Sequence, residues 1–370
     1  ENGTAAVVDN TIALSDADDS NIAAAAVSIS SGFTSGDILT FTDTANITGS
    51  YNSGSGVLTL SGSDTTANYQ AALRSITYAS SSEDPTTTAT SRTISWTVTD
   101  GNSDGAGAET STAVTSTINL TAVNDAPVTT AGATLAYSEN GTAAVIDNTI
   151  ALSDIDDSQM AGASVTISSG FTSGDTLGFT TIGAISGSYN SSTGVLTLSG
   201  TDTIANYQAA LRSITYASSS EDPTATAASR TISWSVTDAN SDGAGAQSSS
   251  AVTSTINLTA TNDTPTATAG ATLAYSENGT AAVVDNTIAL SDADDSNIAA
   301  AAVSISSGFT SGDILTFTDT ANITGSYNSS TGVLTLSGTD TVANYQTALR
   351  TVTYLSSSED PTTTATSRTI

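Results

Sequence analysis

Residues 1–16 read ENGTAAVVDNTIALSD, and almost the same string returns twice further along the chain. It begins again at Glu139 and at Glu277, each time after 138 residues, with no insertion or deletion between copies. Only eight substitutions separate residues 1–94 from residues 277–370. A period of this length is too long for a solenoid repeat of roughly 20–50 residues, but it matches one independent domain per repeat. The 370 residues therefore hold about 2.7 copies of one domain.

Two segments rich in proline and small polar residues mark the linkers between copies. They read AVNDAPVTTAG at 122–132 and ATNDTPTATAG at 260–270. We therefore expect a first, N-terminally incomplete repeat at 1–125, a complete repeat at 126–263 and a third, C-terminally truncated repeat at 264–370. The chain opens within the pattern and without a signal peptide, so we expect it to be a window on a longer array.

Alternation of apolar and polar residues predicts half-buried strands throughout the repeat. Ile94, Trp96 and Val98, for example, alternate with serine and threonine, and turn clusters recur every 8–12 residues. This pattern predicts an all-β fold, a tandem array of β-sandwich domains with one domain per repeat. In the complete repeat the predicted strands are 134–138, 142–152, 163–168, 176–180, 184–189, 194–198, 212–217, 229–237 and 251–260. Residues 64–74 instead predict a short helix, with Asp64 as its N-cap and Tyr69 and Leu73 on one face.

The composition excludes several classes of function. The chain has 36 acidic residues against 6 arginines, and it contains no histidine, cysteine or lysine. It therefore has no catalytic triad, thiolate nucleophile, Schiff base or histidine-bound metal, and we expect no enzymatic activity. Paired acids can hydrolyse glycosides, but no substrate-binding aromatic residues accompany them here. A net charge of −30 argues against nucleic acid as a partner. No apolar run approaches the ~20 residues of a membrane helix, so we expect no membrane insertion.

The acidic residues cluster in turns that alternating strand directions would bring to the ends of each sandwich. Like charges at that density repel, and Ca²⁺ relieves the repulsion by taking 6–8 oxygen ligands. At the first junction the expected ligands are Glu1, Glu83, Asp84, Asn124, Asp125, Asp154, Asp156, Asp157, Asp238, Asn240 and Asp242. At the second junction they are Glu139, Glu221, Asp222, Asn262, Asp263, Asp292, Asp294 and Asp295. The equivalent acids of the first repeat are Asp16, Asp18, Asp19, Asp100, Asn102 and Asp104.

The segments at 100–105 and 238–243 also fit the start of an EF-hand loop, D-x-N-x-D-G. The twelfth position is Ser111 or Ser249, where an EF-hand has its bidentate glutamate. We therefore expect no complete EF-hand, but two or three of these oxygens serving a junction site.

Other polar and aromatic residues have simpler expected roles. Four aspartates outside the clusters should cap turns: Asp9, Asp37, Asp43 and Asp64. Arg74 and Arg92 should pair with nearby carboxylates, and Trp96 should lie in the core. The tyrosines at 51, 69 and 78 should pack against the core with their hydroxyl groups in water.

These motifs together resemble a known family. The NDAPV linker, the DADD loop and the acids in turns are similar to bacterial cadherin-like and Ig-like tandem repeats of giant secreted surface adhesins. The resemblance implies an extracellular rod on a bacterial cell surface, with Ca²⁺ at the domain junctions and export often through a type I system.

Three functions remain open. The favoured one is a structural spacer, a calcium-rigidified rod or stalk of a long surface protein used in adhesion. The alternative is a self-assembling extracellular filament or sheath, in which identical chains contact one another. A carbohydrate-binding module is a third and less favoured interpretation, because aromatic residues are sparse.

Overall fold

The computed structural model describes residues 3–102, 105–240, 243 and 245–370. The first repeat contains the strands β1 Ala6–Val7, β2 Asn21–Ser31, β3 Asp37–Thr40, β4 Thr48–Asn52, β5 Val57–Thr65, β6 Thr77–Ser80, β7 Ser91–Asp100 and β8 Val114–Asn119, and the helix α1 Thr66–Arg74. Its larger sheet has the order β4-β5-β2-β7-β8, and its smaller sheet has the order β1-β6-β3.

In the second repeat, the segment after the linker forms two further strands, one that joins the larger sheet and one that forms a separate two-stranded sheet. It contains β9 Val128–Thr130, β10 Thr134–Ser138, β11 Ala144–Val145, β12 Ala151–Ser153, β13 Gln159–Ser169, β14 Asp175–Gly178, β15 Ser186–Asn190, β16 Val195–Thr203, β17 Thr215–Ser218, β18 Ser229–Asp238 and β19 Val252–Thr259, with the helix α2 Ile204–Arg212. A six-stranded sheet, β10-β19-β18-β13-β16-β15, and a three-stranded sheet, β11-β17-β14, contribute to one hydrophobic core, while β9 pairs with β12.

The third repeat follows the same plan as far as residue 370. It contains β20 Thr266–Thr268, β21 Ala282–Val283, β22 Ala289–Ser291, β23 Asn297–Ser304, β24 Asp313–Thr316, β25 Thr324–Asn328, β26 Val333–Thr341 and β27 Thr353–Ser356, with the helix α3 Val342–Leu349. Among the described residues, none of the helices combines the length and apolar character needed to cross a membrane.

The core of each repeat is built from the alternating apolar residues of its strands. In β18, Ile232, Trp234 and Val236 are fully buried, while the serine and threonine residues between them are only partly buried. The side chain of Trp96 in the first repeat is likewise buried, as expected. The prediction of an all-β sandwich fold is confirmed, and its cause is the two-residue period of side chains along a strand.

The helix lies where the sequence predicts it, but its cap is one residue later. The hydroxyl group of Thr65, not the carboxylate of Asp64, accepts the hydrogen bond from the N–H of Asn68, so the predicted N-cap at Asp64 is wrong. Asp64 instead accepts hydrogen bonds from the side chain of Asn68 and from the N–H of Thr65. Tyr69 and Leu73 are both buried, because they lie four residues apart on the inner face of the helix.

The strand predicted over 142–152 is two short strands, β11 and β12, with a tight turn between them. Asp147 causes the break, because its carboxylate accepts hydrogen bonds from the N–H and the hydroxyl group of Thr149. Such local hydrogen bonds compete with a continuous strand. The predicted strand at 212–217 is also too long, since α2 ends at Arg212 and β17 begins at Thr215.

Several arginine and tyrosine side chains form hydrogen bonds inside the protein, and some of their partners differ from those expected. Arg92 forms a buried ion pair with Asp37, with 2.6 Å between Nε and Oδ2, so Asp37 does more than cap its turn. Arg74 donates to the carbonyl oxygen of Ile12, so the structure gives it a backbone partner where a carboxylate was expected. The hydroxyl groups of Tyr69 and Tyr78 bond to Gly62 and Asp37 inside the protein, not to water.

Strand pairing brings distant acidic loops to two opposite ends of the second repeat. At its N-terminal end, where the preceding linker arrives, β13 starts next to the last residue of β18, since Met160 pairs with Asp238. At its C-terminal end, where the following linker leaves, β10 and β19 run parallel and finish side by side. Glu139 directly follows β10, and its N–H bonds to the carbonyl oxygen of Thr259 in β19.

Candidate metal sites at the repeat junctions

The N-terminal end of the second repeat carries a compact acidic cluster. Asp154, Asp157 and Asp238 each offer a carboxylate oxygen within 4.8 Å of the other two. Asp157 and Asp238 are buried, and Asp154 is partly buried. The loop folds around Asp154, whose Oδ1 accepts hydrogen bonds from the N–H groups of Asp156 and Asp157. The cluster therefore holds three acids in a small, poorly solvated space.

The linker before the second repeat closes over this cluster. The side-chain amide of Asn124 donates to Asp238 over 2.9 Å, and the N–H of Asp125 donates to Asp156 over 2.8 Å. Asn124 is buried, with 3% of its surface exposed. The linker residues are therefore held by the acidic loops of the repeat that follows.

A second acidic cluster lies at the C-terminal end of the second repeat. Carboxylate oxygens of Glu139, Glu221 and Asp263 lie within 4.8 Å of one another. Glu139 is 5% exposed, and its Oε2 accepts a hydrogen bond from the N–H of Thr261 in the linker. These three acids come from the turn after β10, the loop after β17 and the linker after β19.

The second junction continues into the third repeat in the same way as the first. The N–H of Asp263 donates to Asp294 over 3.1 Å, and Asp294 belongs to the cluster formed by Asp292, Asp294 and Asp295. Asp292 Oδ1 accepts from the N–H groups of Asp294 and Asp295, as Asp154 does in the second repeat. Each of the linker aspartates Asp125 and Asp263 thus bonds to the loop that follows it.

Burial and like charges raise the pKa of three junction carboxyl groups. Burial is the main cause for Asp154, and the neighbouring Asp156 adds to it, so the pKa of Asp154 rises to about 6. The pKa of Asp125 is raised by burial and then by the charges of Asp156 and Glu83, which lie in the following and the preceding repeat. The pKa of Asp263 is raised by burial, then by Glu221, Asp294 and Asp292. A cation at either junction would favour the ionised form of these groups.

Several buried oxygen atoms at the junctions have no hydrogen-bond partner among the described residues. They are Asn124 Oδ1, Asp154 Oδ2 and Asp156 Oδ1 at the first junction, and Glu139 Oε1, Asp263 Oδ2 and Asp294 Oδ1 at the second. A buried polar atom without a partner is costly, so this group of atoms calls for an explanation. Carboxylate and amide oxygens are the donors that Ca²⁺ prefers, and the side chains present therefore fit a hard divalent cation.

The remaining expected ligands are distributed as follows. Asp16, Asp18 and Asp19 form a cluster like that of Asp154, although the carboxylates of Asp16 and Asp18 are exposed. Asp84 accepts hydrogen bonds from Thr86 and Thr87, and Asp222 accepts one from Thr224, so both cap turns beside the clusters. Asp100 accepts from the N–H groups of Asn102 and Glu109. Three expected ligands, Glu1, Asp104 and Asp242, lie outside the described residues.

The expected asparagine ligands serve the backbone around them. Asn102 and Asn240 adopt positive φ angles of 50° and 55°, and their side-chain oxygens accept hydrogen bonds from Gly107 and Gly245. Asn262 donates its side-chain amide to the carbonyl oxygen of Asp263. In both copies, the positive φ angle and the hydrogen bond from a glycine five residues later place the asparagine in a turn after β7 or β18.

One residue at the first junction, Gln247, belongs to none of the motifs identified in the sequence. Gln247 donates its backbone N–H to Asp238 and its side-chain amide to the carbonyl oxygen of Asn124. Gln247 therefore connects Asn124 of the linker to Asp238, a buried acid of the second repeat. In the sequence, this role is indicated by a difference between copies, because the equivalent position in the first repeat is Glu109.

Comparisons with known proteins give limited likeness. No protein-family model matches the chain. Halomucin of Haloquadratum walsbyi is 40% identical over 108 residues, which make up 28% of this chain and 1% of halomucin. The chain thus matches a very small part of that relative's length.

Solved structures of tandem cadherin domains align along most of the chain. Human CDH23 EC21-23 matches 90% of this chain and 88% of its own, with 14% identity and a TM-score of 0.30. Protocadherin gamma B2 extracellular cadherin domains 1–5 match 83% of this chain and 46% of their own, with 13% identity and a TM-score of 0.26. The chain is similar to these tandem β-sandwich proteins, and likeness at this level does not bear on its function.

Proposed function

We propose that this chain is a non-catalytic structural region of a long extracellular surface protein, stiffened by Ca²⁺ into a rod or stalk for adhesion. The units of the rod are the repeats 1–125, 126–263 and 264–370, and each junction holds calcium. The absence of histidine, cysteine and lysine from the sequence supports a non-catalytic role.

The observation that carries the proposal is the position of the linker aspartates. The backbone of Asp125 bonds to Asp156 of the following repeat, while the charge of Glu83 in the preceding repeat raises the pKa of its carboxyl group. Asp263 is placed in the same way between Glu221 and Asp294. A cation bound at the linker would contact acids from both neighbours and so oppose bending between them.

The ligands at each junction come from the linker and from both repeats. At the first junction, Glu83, Asn124, Asp125, Asp154, Asp156 and Asp238 would supply oxygen atoms, and at the second, Glu139, Glu221, Asp263 and Asp294 would do so. Calcium supplies positive charge that offsets the repulsion among these carboxylates. The protein supplies the burial and the hydrogen bonds that hold the ligands together without the ion.

Thermal unfolding of the full chain in calcium and in EDTA tests this proposal. Binding to the folded state alone stabilises it by RT ln(1 + [L]/Kd), about 2.7 kcal/mol for each site at a calcium concentration 100 times Kd. We expect EDTA to lower the melting temperature, and magnesium at the same concentration to restore less than calcium does, since Mg²⁺ requires a tighter octahedral site. An unchanged melting temperature in EDTA would show that the junctions bind no calcium.

The location of the protein is part of the same proposal. High acidity and strands rich in serine and threonine suit an exposed surface, and near-identical copies suit a spacer, which needs only length and stiffness. Fractionation of the source cells, followed by detection with an antibody against the repeat, tests this assignment. Intact parent chain confined to the cytosol would refute it.

A filament built from identical chains is the second candidate function, and exposed sheet edges support it. The strands β4 and β15 each end the larger sheet of their repeat, and β25 ends the corresponding sheet of the third. Unpaired edge strands can pair with another chain. Electron microscopy of native material separates the two functions, because a spacer would give single beaded threads and a filament would give wider, ordered fibres.

A further inference from the structure

The second repeat contains a buried ion pair that is hydrogen-bonded to a loop of its C-terminal acidic cluster. Arg230 Nε is 2.6 Å from Asp175 Oδ2, and neither side chain is exposed. The pair links β18, which contains Arg230, to β14, which begins with Asp175. A buried ion pair is weak evidence for stability by itself, so its other contacts indicate what it does.

Hydrogen bonds from Arg230 connect this pair to the loop that carries Glu221. Arg230 donates hydrogen bonds to the carbonyl oxygens of Pro223, over 2.8 Å, and Ala227, over 2.9 Å. Pro223 lies two residues after Glu221, in the segment between β17 and β18. The guanidinium group therefore holds the backbone of this loop against the core.

Contacts through two tyrosines connect the pair to the turn that carries Glu139. The hydroxyl group of Tyr216 donates to Asp175 Oδ1 over 2.6 Å, and the ring of Tyr137 packs edge-on against Tyr216, with 5.0 Å between ring centroids. The hydroxyl group of Tyr137 in turn donates to the carbonyl oxygen of Gly141 over 2.6 Å. Glu139 lies in the turn between Tyr137 and Gly141, so its backbone is tied to the same pair.

We propose that the Asp175–Arg230 pair is a positioning unit for the metal site formed by Glu139, Glu221 and Asp263. This inference rests on the proposed function, because it assumes that calcium binds at the second junction. Three carboxylates repel one another without the ion, and all three lie outside the strands and helices, two of them on the loops of Glu139 and Glu221 that the pair reaches. The pair holds both loops in place before the ion arrives. Groups that hydrogen-bond directly to metal ligands typically contribute 10–100-fold to metal affinity, and we expect the lower end of that range here because the pair acts through the loop backbones.

The neighbouring repeats provide natural comparisons. In the third repeat, Asp313 pairs with Arg368, and Tyr275 packs on Tyr354 with the same 5.0 Å spacing. In the first repeat, Arg92 donates to Pro85, two residues after Glu83, over 2.7 Å. A substitution of Arg92 should therefore affect the first junction, and the same substitution of Arg230 should affect the second.

Two reporter proteins make the junctions separately visible in the full chain. The sequence contains no cysteine, so Ala126→Cys and Thr264→Cys each create one labelling position. Both residues are exposed, and they occupy equivalent positions just after the linker aspartates Asp125 and Asp263. An environment-sensitive fluorophore at either position is titrated with calcium to give the midpoint for its own junction.

We expect Arg230→Lys to raise the calcium midpoint at Thr264→Cys at least tenfold and to leave the midpoint at Ala126→Cys within twofold of the parent. Arg92→Lys should do the reverse. Tyr216→Phe, which keeps the ring and removes its hydrogen bond to Asp175, should shift the midpoint at Thr264→Cys in the same direction by a smaller factor. If Arg230→Lys does not fold, which the loss of a cooperative thermal transition in EDTA would show, Tyr216→Phe provides the test of the positioning role.

Two results would overturn the positioning role. Variants that melt at a lower temperature in EDTA but keep the parental calcium midpoint would show that the pair is structural only. An equal shift at both reporters would show that the effect is not confined to its own junction. A parent whose reporters do not respond to calcium at all would instead refute the proposed function, and with it this inference.

Discussion

The backbone N–H of Asp125 lies 2.8 Å from the carboxylate of Asp156, 31 residues further along the chain, and donates a hydrogen bond to it. The contact recurs at the next junction, between Asp263 and Asp294, at 3.1 Å. A linker aspartate is therefore fixed by its backbone, which leaves its own carboxylate beside the acids of both neighbouring repeats. The contribution of each junction acid to the stability of the folded protein should therefore depend on whether a cation is bound.

Asp154→Asn should have opposite effects in EDTA and in calcium. The folded-state pKa of Asp154, about 6, lies above the ordinary value of 3.8, because of burial and then of Asp156. The stability that this group contributes below pH 3.8 is lost as the pH rises through about 6, so its charge destabilises the calcium-free protein at pH 7. In EDTA at pH 7 the variant should melt about 3–5 °C above the parent, and in calcium it should melt below it.

Asp16→Asn is the matched control, since Asp16 occupies the equivalent position in the first repeat. Hydrogen bonds from the N–H groups of Asp19 and Asp18 lower the pKa of Asp16. Its charge is therefore favourable in the folded state, and Asp16→Asn should not raise the melting temperature in EDTA. A rise of equal size in both variants would mean that net charge, not the junction, is responsible.

Replacing both Asp154 and Asp156 by Asn should make the first junction flexible. Strands of up to about ten residues rising ~3.3 Å each give a sandwich about 30–40 Å long, and with a short linker each repeat should advance about 45 Å along a rod. Without these ligands a short linker would remain between two acidic ends, so small-angle scattering in calcium should give a shorter mean end-to-end distance with unchanged circular dichroism. The charge-matched pair Asp43→Asn and Asp319→Asn should scatter like the parent. A junction variant that is as extended as the parent would assign rigidity to direct packing.

Asp147→Asn should destabilise the second repeat in a pH-dependent way. Burial opposes ionisation of Asp147, but hydrogen bonds from Thr149, Ala133, Gly132 and Ser254 outweigh it and hold its pKa well below 3.8. The stability from this carboxylate is present above pH 3.8 and is lost as the pH falls through the folded-state pKa. Urea unfolding should show a loss of about 3 kcal/mol at pH 7 that shrinks below pH 4. A loss that stays constant down to pH 2 would contradict this account.

Gly200→Ala should be one of the most damaging small substitutions. Gly200 has φ of +118°, and a Cβ atom there would lie 2.3 Å from the carbonyl oxygen of Ala184. Backbone strain of this kind costs roughly 1–3 kcal/mol, and the clash adds to it. Gly270→Ala is the control, because a Cβ atom there would meet no other atom within 4 Å. Thermal unfolding should therefore separate the two variants clearly, and equal melting temperatures would refute the steric argument.

The sequence by itself determined the period, the fold class and the set of candidate acids. The 138-residue offset is visible without structure, and the alternation in β18 predicts its buried face correctly, because strand side chains alternate with a period of two. The break of the predicted strand at 142–152 was not visible, because it depends on the carboxylate of Asp147 bonding to its own turn. Local hydrogen bonds of that kind compete with strand pairing and leave no period in the sequence.

Only the tertiary structure decided which acids meet and what holds them. Glu139, Glu221 and Asp263 are far apart in the sequence, and the parallel pairing of β10 with β19 contributes to bringing them together. The structure also separated Asp84 and Asp222, which cap turns, from the acids that face the linkers. That an arginine at this position pairs with a carboxylate was expected, but its partner could not be predicted, since Asp175 and Arg230 lie 55 positions apart with no motif between them. Contacts of this kind depend on strand order and register, which residue patterns along one strand do not specify.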